Sequence, residues 1–220
     1  MEKTKLILKP RILVIFVIIT VLVLYITGTT TPTIDRGQIK SSSLISYQTE
    51  FNYRQTANDC GPFNVAAVVR ALKNKGVDSN QFANEIKWRL PNEYTLPRGL
   101  KKQLKQNKIT VEIPNLKVLS DEDKIHLLRQ QLSQGKPIII LGEINGYEHY
   151  ITIFGFDASK NEFYVYDSAH DADDAILELT KDDNSSLPGN KTLLTIELLD
   201  FWRNGGMYGI YNWYAIIASI

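Results

Sequence analysis

The sequence predicts an α+β fold, with helices packed on one side of an antiparallel sheet. Three observations predict it. Residues 63–72 are rich in Ala, Val and Leu, with the apolar spacing of a buried helix. Residues 150–156 and 162–167 are apolar and aromatic runs on either side of a polar turn, a hairpin pattern. Residues 137–141 and 211–220 add short apolar strands. A chain of 220 residues suits one domain with appendages, and its 44% hydrophobic content is ample for a core.

At the N-terminus, Lys3, Lys5, Lys9 and Arg11 precede an uncharged apolar run over 12–27. The run has no polar face, which disfavours a globular helix. At ~1.5 Å per residue it falls slightly short of a ~30 Å hydrocarbon core, so residues 28–31 complete the span, with Tyr25 suited to the interface. The expectation is a transmembrane signal anchor over 12–31. A cleaved signal peptide competes with it, although the run is at the long limit for one and no A-x-A-like site follows. With an anchor, the flanking charge places residues 1–11 in the cytoplasm and the folded domain outside; cleavage would make the domain secreted. Residues 32–48 read as a flexible linker, and residues 49–220 as the globular domain.

Within the domain, Pro62 suits the first turn of the helix that follows Cys60; Lys73 and Lys75 favour its C-terminal end, and Gly76 is a natural stop. Asp78 and Ser79 can cap a second helix carrying Phe82, Ile86 and Leu90, ended by Pro91. Residues 98–107 suggest a basic amphipathic helix and residues 109–113 a strand. Ser120 opens a helix with acidic residues in its first turn, which Gly135 stops. Residues 195–202 read as a closing helix.

Cys60 is the only cysteine, so no internal disulfide forms. A lone cysteine is ordinarily a small buried hydrophobe. Here, however, it stands at a helix start, where unpaired N–H groups and the helix dipole favour a thiolate. Asn58 and Asp59 make its upstream side polar, and the amide of Gln55 lies five residues before it, able to swing beside the thiol as an oxyanion donor.

His149 and Asp167 are the candidate base and its orienter. A hairpin loop of three or five residues centred on Ala158 sets them directly opposite each other, with Cβ atoms ~4.5–5.5 Å apart. A loop with an even number of residues would set His149 opposite His170 instead. The odd-numbered loop is preferred because it gives His149 a chemically sensible partner. Gln55, Cys60, His149 and Asp167 are then the four parts that thiol acyl-transfer chemistry needs: oxyanion donor, nucleophile, general base and orienter.

Several stretches resemble the papain-like bacteriocin-processing (double-glycine leader) peptidases, family 39 of the cysteine class. They are Gln55-x-x-x-Asp59-Cys60-Gly61-Pro62, residues 132–140, Glu148-His149-Tyr150 with the strand after it, Tyr164-Val-Tyr-Asp167 and the closing 195–202 helix. The resemblance implies a papain-like fold, a Cys60–His149–Asp167 triad, Gln55 in the oxyanion hole, and a peptide or protein substrate. The chain departs from the exporter-fused members by its single expected span and by lacking G-x-x-x-x-G-K-[ST]. It also follows the Asp with Ser168.

The other signals are weaker. A net charge of +1 and the lack of a basic stripe with interleaved aromatics give no case for a nucleic-acid partner. Asp167, His170, Asp171, Asp173 and Asp174 lack zinc-site spacing, so no metal or cofactor is expected. Asn184-Ser-Ser and Asn190-Lys-Thr are formal glycosylation acceptors. The expectation is a membrane-anchored cysteine peptidase. Acyl or amide transfer on the same triad, and a non-catalytic peptide-binding module of the same fold, remain as alternatives.

Overall fold

A computed structural model describes residues 14, 15, 18, 19, 32–206 and 209–220. The expected 12–31 span lies outside these residues, except that Val14, Ile15, Ile18 and Ile19 are helical with exposed side chains. Among the described residues no helix is long and apolar enough to cross a membrane.

From residue 32 onward the described residues form five α-helices: α1 (Cys60–Lys73), α2 (Ser79–Glu85), α3 (Pro97–Gln106), α4 (Asp121–Ser133) and α5 (Thr195–Asn204). Nine strands accompany them: β1 (Ser42–Leu44), β2 (Thr110–Glu112), β3 (Ile138–Ile144), β4 (Tyr147–Asp157), β5 (Glu162–Tyr166), β6 (Ala172–Asp173), β7 (Ile176–Thr180), β8 (Lys191–Leu194) and β9 (Ala215–Ser219). Seven strands form one sheet in the order β2-β9-β3-β4-β5-β8, with β1 added to β4; β6 and β7 form a separate hairpin. Every pairing is antiparallel.

The local signals act largely as expected. Asp78 accepts a hydrogen bond from Asn80 N–H and caps α2; Ser120 accepts one from Asp123 N–H and caps α4. Two elements end earlier than expected. α1 stops at Lys73 because Asn74 takes the left-handed conformation, φ 47°, ahead of Gly76. α2 stops at Glu85, with Ile86 extended, so Leu90 lies outside the helix.

The helices cover both faces of the sheet, where the sequence suggested one. Side chains alternate along the central strands. Ile138 and Ile140 of β3, with Ala215 and Ile217 of β9, pack with Leu128, Leu132, Leu198 and Trp202 of α4 and α5. Ile139, Leu141, Ile216 and Ala218 pack instead with Phe82, Leu100 and Leu104 of α2 and α3. α1 touches both cores, through Phe63 and Ala67 on one side and Val65 and Val68 on the other. Its Arg70 is fully buried among neutral partners, donating to Asn52 Oδ1 and Ser79 Oγ beneath the rings of Tyr47 and Tyr166.

The stretch expected as a linker carries structure of its own. β1 pairs with β4, Ile45 is buried, and Tyr47 stacks on Phe154. Ahead of β1, the Asp35 carbonyl lies 2.7 Å from His126 Nε2, and Arg36 pairs with Asp123. The composition that suggested a tether is polar, but β1 pairs with the sheet and Ile39, Ile45 and Tyr47 pack on the core.

The β4–β5 turn has four residues, 158–161, because Asp157 Oδ1 gathers the N–H of Ser159, the Ser159 hydroxyl and the N–H of Lys160, while Asn161 sits at φ 57°. The preferred odd-numbered loop is therefore incorrect. Both glycosylation-type asparagines are buried, and their amide groups are hydrogen-bonded inside the fold.

Candidate active site

Cys60 opens α1 and is 2% exposed. Asp59 is the N-cap residue, but its carboxylate turns away from the helix. It pairs with Arg89 at 2.6 Å and accepts from Thr56 Oγ, leaving the first-turn N–H groups without a side-chain cap.

Asn64, one turn further along, ties the thiol-bearing turn to the sheet. Its amide NH2 donates to Cys60 O at 2.8 Å and to Tyr150 O at 2.7 Å; its Oδ1 accepts from Thr152 Oγ at 2.6 Å. The reason lies in the strand pairing. Leu141, opposite Tyr150, sends its N–H to Tyr214 of the β9 side, so the Tyr150 carbonyl faces away from β3. β5 pairs with β4 only from Thr152 onward, and the Asn64 amide fills the gap that β5 leaves.

His149 is the next residue along β4. Its Nε2 lies 2.7 Å from Asp167 Oδ1, which leaves Nδ1 as the ring nitrogen available to the Cys60 thiol, a neighbour close enough to raise the imidazole. His149 does not face Asp167 in register, contrary to the direct pairing expected. Ile153 lies opposite Val165 but Gly155 opposite Tyr164, so Phe154 is an extra residue, a β-bulge. Beyond Thr152↔Tyr166 the register carries Asp167 opposite Ile151, two residues from His149 and on the same face. The contact is thus a diagonal one. Without the bulge, Asp167 would fall opposite Thr152, on the other face. His170, the alternative partner, pairs with Asp183 at 2.6 Å.

The rest of the site holds this dyad in place. Phe201 of α5 meets the His149 ring edge-on at 6.4 Å. Gly142, opposite His149 on β3, makes room for it: a Cβ there would lie 2.4 Å from the Phe201 ring. Asn190 brackets the Asp167 backbone, accepting from its N–H and donating to its carbonyl, each at 2.8 Å. Lys191 Nζ stands 3.2 Å from Asp167 Oδ2.

Electrostatics follow from this geometry. For His149, burial alone favours the neutral ring. The hydrogen bond of Asp167, the neighbouring Cys60 thiol and the charge of Asp167 outweigh burial and push the imidazole up to about 10. For Asp167, burial would raise the carboxyl. The hydrogen bond and charge of His149, then the charge of Lys191 and the Ala169 N–H, reverse this and hold it well below the ordinary carboxylate range.

Gln55 is held beside Ser168, the residue after Asp167. Its Nε2 donates to Ala57 O at 3.0 Å, its Oε1 accepts from Ser168 Oγ at 2.6 Å, and its backbone N–H donates to Ser168 O. The residue after Asp167 thus fixes the Gln55 side chain, whose NH2 keeps one hydrogen for another acceptor. Among the described residues no three His, Cys, Asp or Glu side chains are placed to hold a metal ion.

Sequence reasoning missed Asn64, Asn190 and Lys191. A buried polar residue at position i+4 from a helix-opening cysteine was a usable signal for Asn64. Nothing local marked the other two, because their partner is set by the β5–β8 pairing.

Of solved structures, xylellain, a cysteine protease from Xylella fastidiosa, aligns with a TM-score of 0.44 at 10% identity, covering 86% of this chain and 91% of that one. No curated protein matches the chain. A family model described as "Peptidase_C39 like family" matches residues 45–183, a stretch that contains Gln55, Cys60, His149 and Asp167. The chain belongs to the peptidase C39-like family and is a cysteine peptidase.

Proposed function

We propose that the chain hydrolyses peptide bonds with Cys60 as nucleophile, His149 as general acid and base, Asp167 as orienter and Gln55 as oxyanion donor. The observation that carries this reading is the buried 2.7 Å contact of His149 Nε2 with Asp167 Oδ1, which leaves the other ring nitrogen for the thiol of Cys60 at a helix start. In the first step the Cys60 thiolate attacks the peptide carbonyl carbon, and the carbonyl oxygen takes up the negative charge. The Gln55 NH2, which keeps one hydrogen beyond its bond to Ala57 O, and the Cys60 backbone N–H receive that charge. The intermediate expels the amine, which takes its proton from the His149 imidazolium, and an acyl-thioester remains. In the second step His149 removes a proton from water, the hydroxide attacks the thioester, and the acid leaves as Cys60 regains the charge.

The N-terminal segment adds a location. Residues 12–31 serve as a single-pass anchor, with residues 1–11 in the cytoplasm and the peptidase domain outside. The apolar run behind four basic residues supports this, as do the outward-facing side chains of Val14, Ile15, Ile18 and Ile19. The full chain should stay with membranes through a high-salt wash, and a chain lacking residues 1–31 should not; equal release of both would contradict the anchor.

The catalytic reading is tested with a peptide mixture and mass spectrometry. Wild type should generate new amino and carboxyl termini, and Cys60→Ala should lose this by at least about 10³-fold with an unchanged circular-dichroism spectrum. Products joined to added amines in place of water would identify a transferase. Peptide binding without turnover, equal in wild type and Cys60→Ala, would identify a binding module.

A further inference from the structure

We infer that Lys191 is a fourth member of the site, a positioning residue whose ammonium shares the Asp167 carboxylate with His149 and so sets how firmly the imidazole holds its proton. The inference rests on the Cys60–His149–Asp167 reading above. Asp167 divides its two oxygens. Oδ1 accepts from His149 Nε2 at 2.7 Å and from the Ala169 N–H at 3.0 Å, while Oδ2 takes Lys191 Nζ at 3.2 Å.

The fold provides for this division. Lys191 opens β8, where it lies opposite Val165 of β5, two residues before Asp167. Asn190, 1% exposed, holds the Asp167 backbone by two hydrogen bonds, so the carboxylate and the ammonium are fixed from the same short segment. The Lys191 side chain remains 31% exposed. It reaches a hollow of about 390 Å³ between the β3–β4 turn and α5, whose other charged groups are Glu143 from β3 and Asp200 from α5. Cys60 faces His149 from α1, and His170 closes the turn after Asp167 through its backbone N–H while its ring pairs with Asp183.

A second cation on one carboxylate has two effects. It keeps the carboxylate ionised and oriented. It also draws on the negative charge that stabilises the imidazolium, and repels that imidazolium across the carboxylate. With Lys191 present, Asp167 orients His149 without binding its proton as tightly as a lone carboxylate would. The sign is therefore definite: neutralising Lys191 should make His149 hold its proton to higher pH.

The chain has three histidines, so ¹³C-histidine NMR on the intact chain can follow each titration. Lys191→Met should move the His149 midpoint up by about half a pH unit or more, because the partly exposed ammonium on the shared carboxylate is lost. His126 and His170 should not move, and Lys191→Arg should keep the wild-type midpoint. Lys191→Gln serves as a second neutral variant if the methionine disturbs folding. An unmoved or lowered His149 midpoint in the neutral variants, or a shift in Lys191→Arg as large as theirs, would overturn the assignment. The titration needs no turnover, so it judges Lys191 even where peptide hydrolysis fails. Hydrolysis by wild type with no His149 shift would refute the role of Lys191 alone.

Discussion

His149 and Asp167 are each costly to bury as ions, yet are 5% and 3% exposed. The cost is offset because each supplies the other's counter-charge at 2.7 Å and the remaining lone pairs and protons are used by Cys60, Ala169 and Lys191. Their shifts give the pair a pH window. A histidine raised from 6.5 to about 10 on folding adds stability that is fully present below pH 6.5 and is lost as pH climbs through about 10. The depressed Asp167 adds stability that is present above its ordinary value near 4 and lost as pH falls through its lower folded value. The imidazolium–carboxylate pair therefore contributes most between about pH 4 and 6.5. Cys60, His149, Asp167 and Gln55 were all readable as candidates in the sequence, because each stands beside a local mark: a helix start, a strand entry, a strand end, an amide five residues ahead of a thiol. Lys191 was not, since its role exists only once β8 has paired with β5.

Between elements, two features assemble the site: the Phe154 bulge, which places Asp167, and the Asn64 amide, which ties α1 to β4. The bulge decides which face Asp167 occupies, and no residue type near 153–155 announced it; the hairpin was readable, its register was not. Turn chemistry settled the loop length, since an Asp side chain collecting three donors favours four residues over three or five. Asn64 fills the vacancy along β4 where β5 has not yet begun. Asn64→Ala would leave the carbonyl of Tyr150 and the hydroxyl of Thr152 buried without their partner. Its expected cost is about 2–3 kcal/mol in a urea melt, with low-pH alkylation of Cys60 slowed by about tenfold because the helix start is no longer fixed beside His149. A variant with wild-type stability and alkylation would show that packing alone seats α1.

For the molecule as a whole, helices on both faces of one antiparallel sheet leave α1 as the element common to both cores. This placement sets the first turn of α1 against β4, where strand-borne His149 can reach it. The sequence revealed the α+β class and most helix starts, because Asp78 and Ser120 cap as their side chains predict. It did not reveal that α4 and α5 take the face opposite α2 and α3, since the strands are apolar on both sides and alternation cannot assign a face. Nor did it reveal the docking of residues 35–47, where contacts remote in sequence order a polar stretch.

The central claim is that Cys60 and His149 act as one coupled pair, and the rate of iodoacetamide labelling of Cys60 between about pH 4 and 9, in wild type and His149→Ala, tests it most directly. An ordinary thiol near pKa 8.5 is only about 0.3% thiolate at pH 6 and labels accordingly slowly. Wild type should keep labelling well below pH 8, down to about pH 5, and His149→Ala should lose this low-pH reactivity. Superimposable curves for the two proteins, both rising only near the ordinary thiol value, would contradict it.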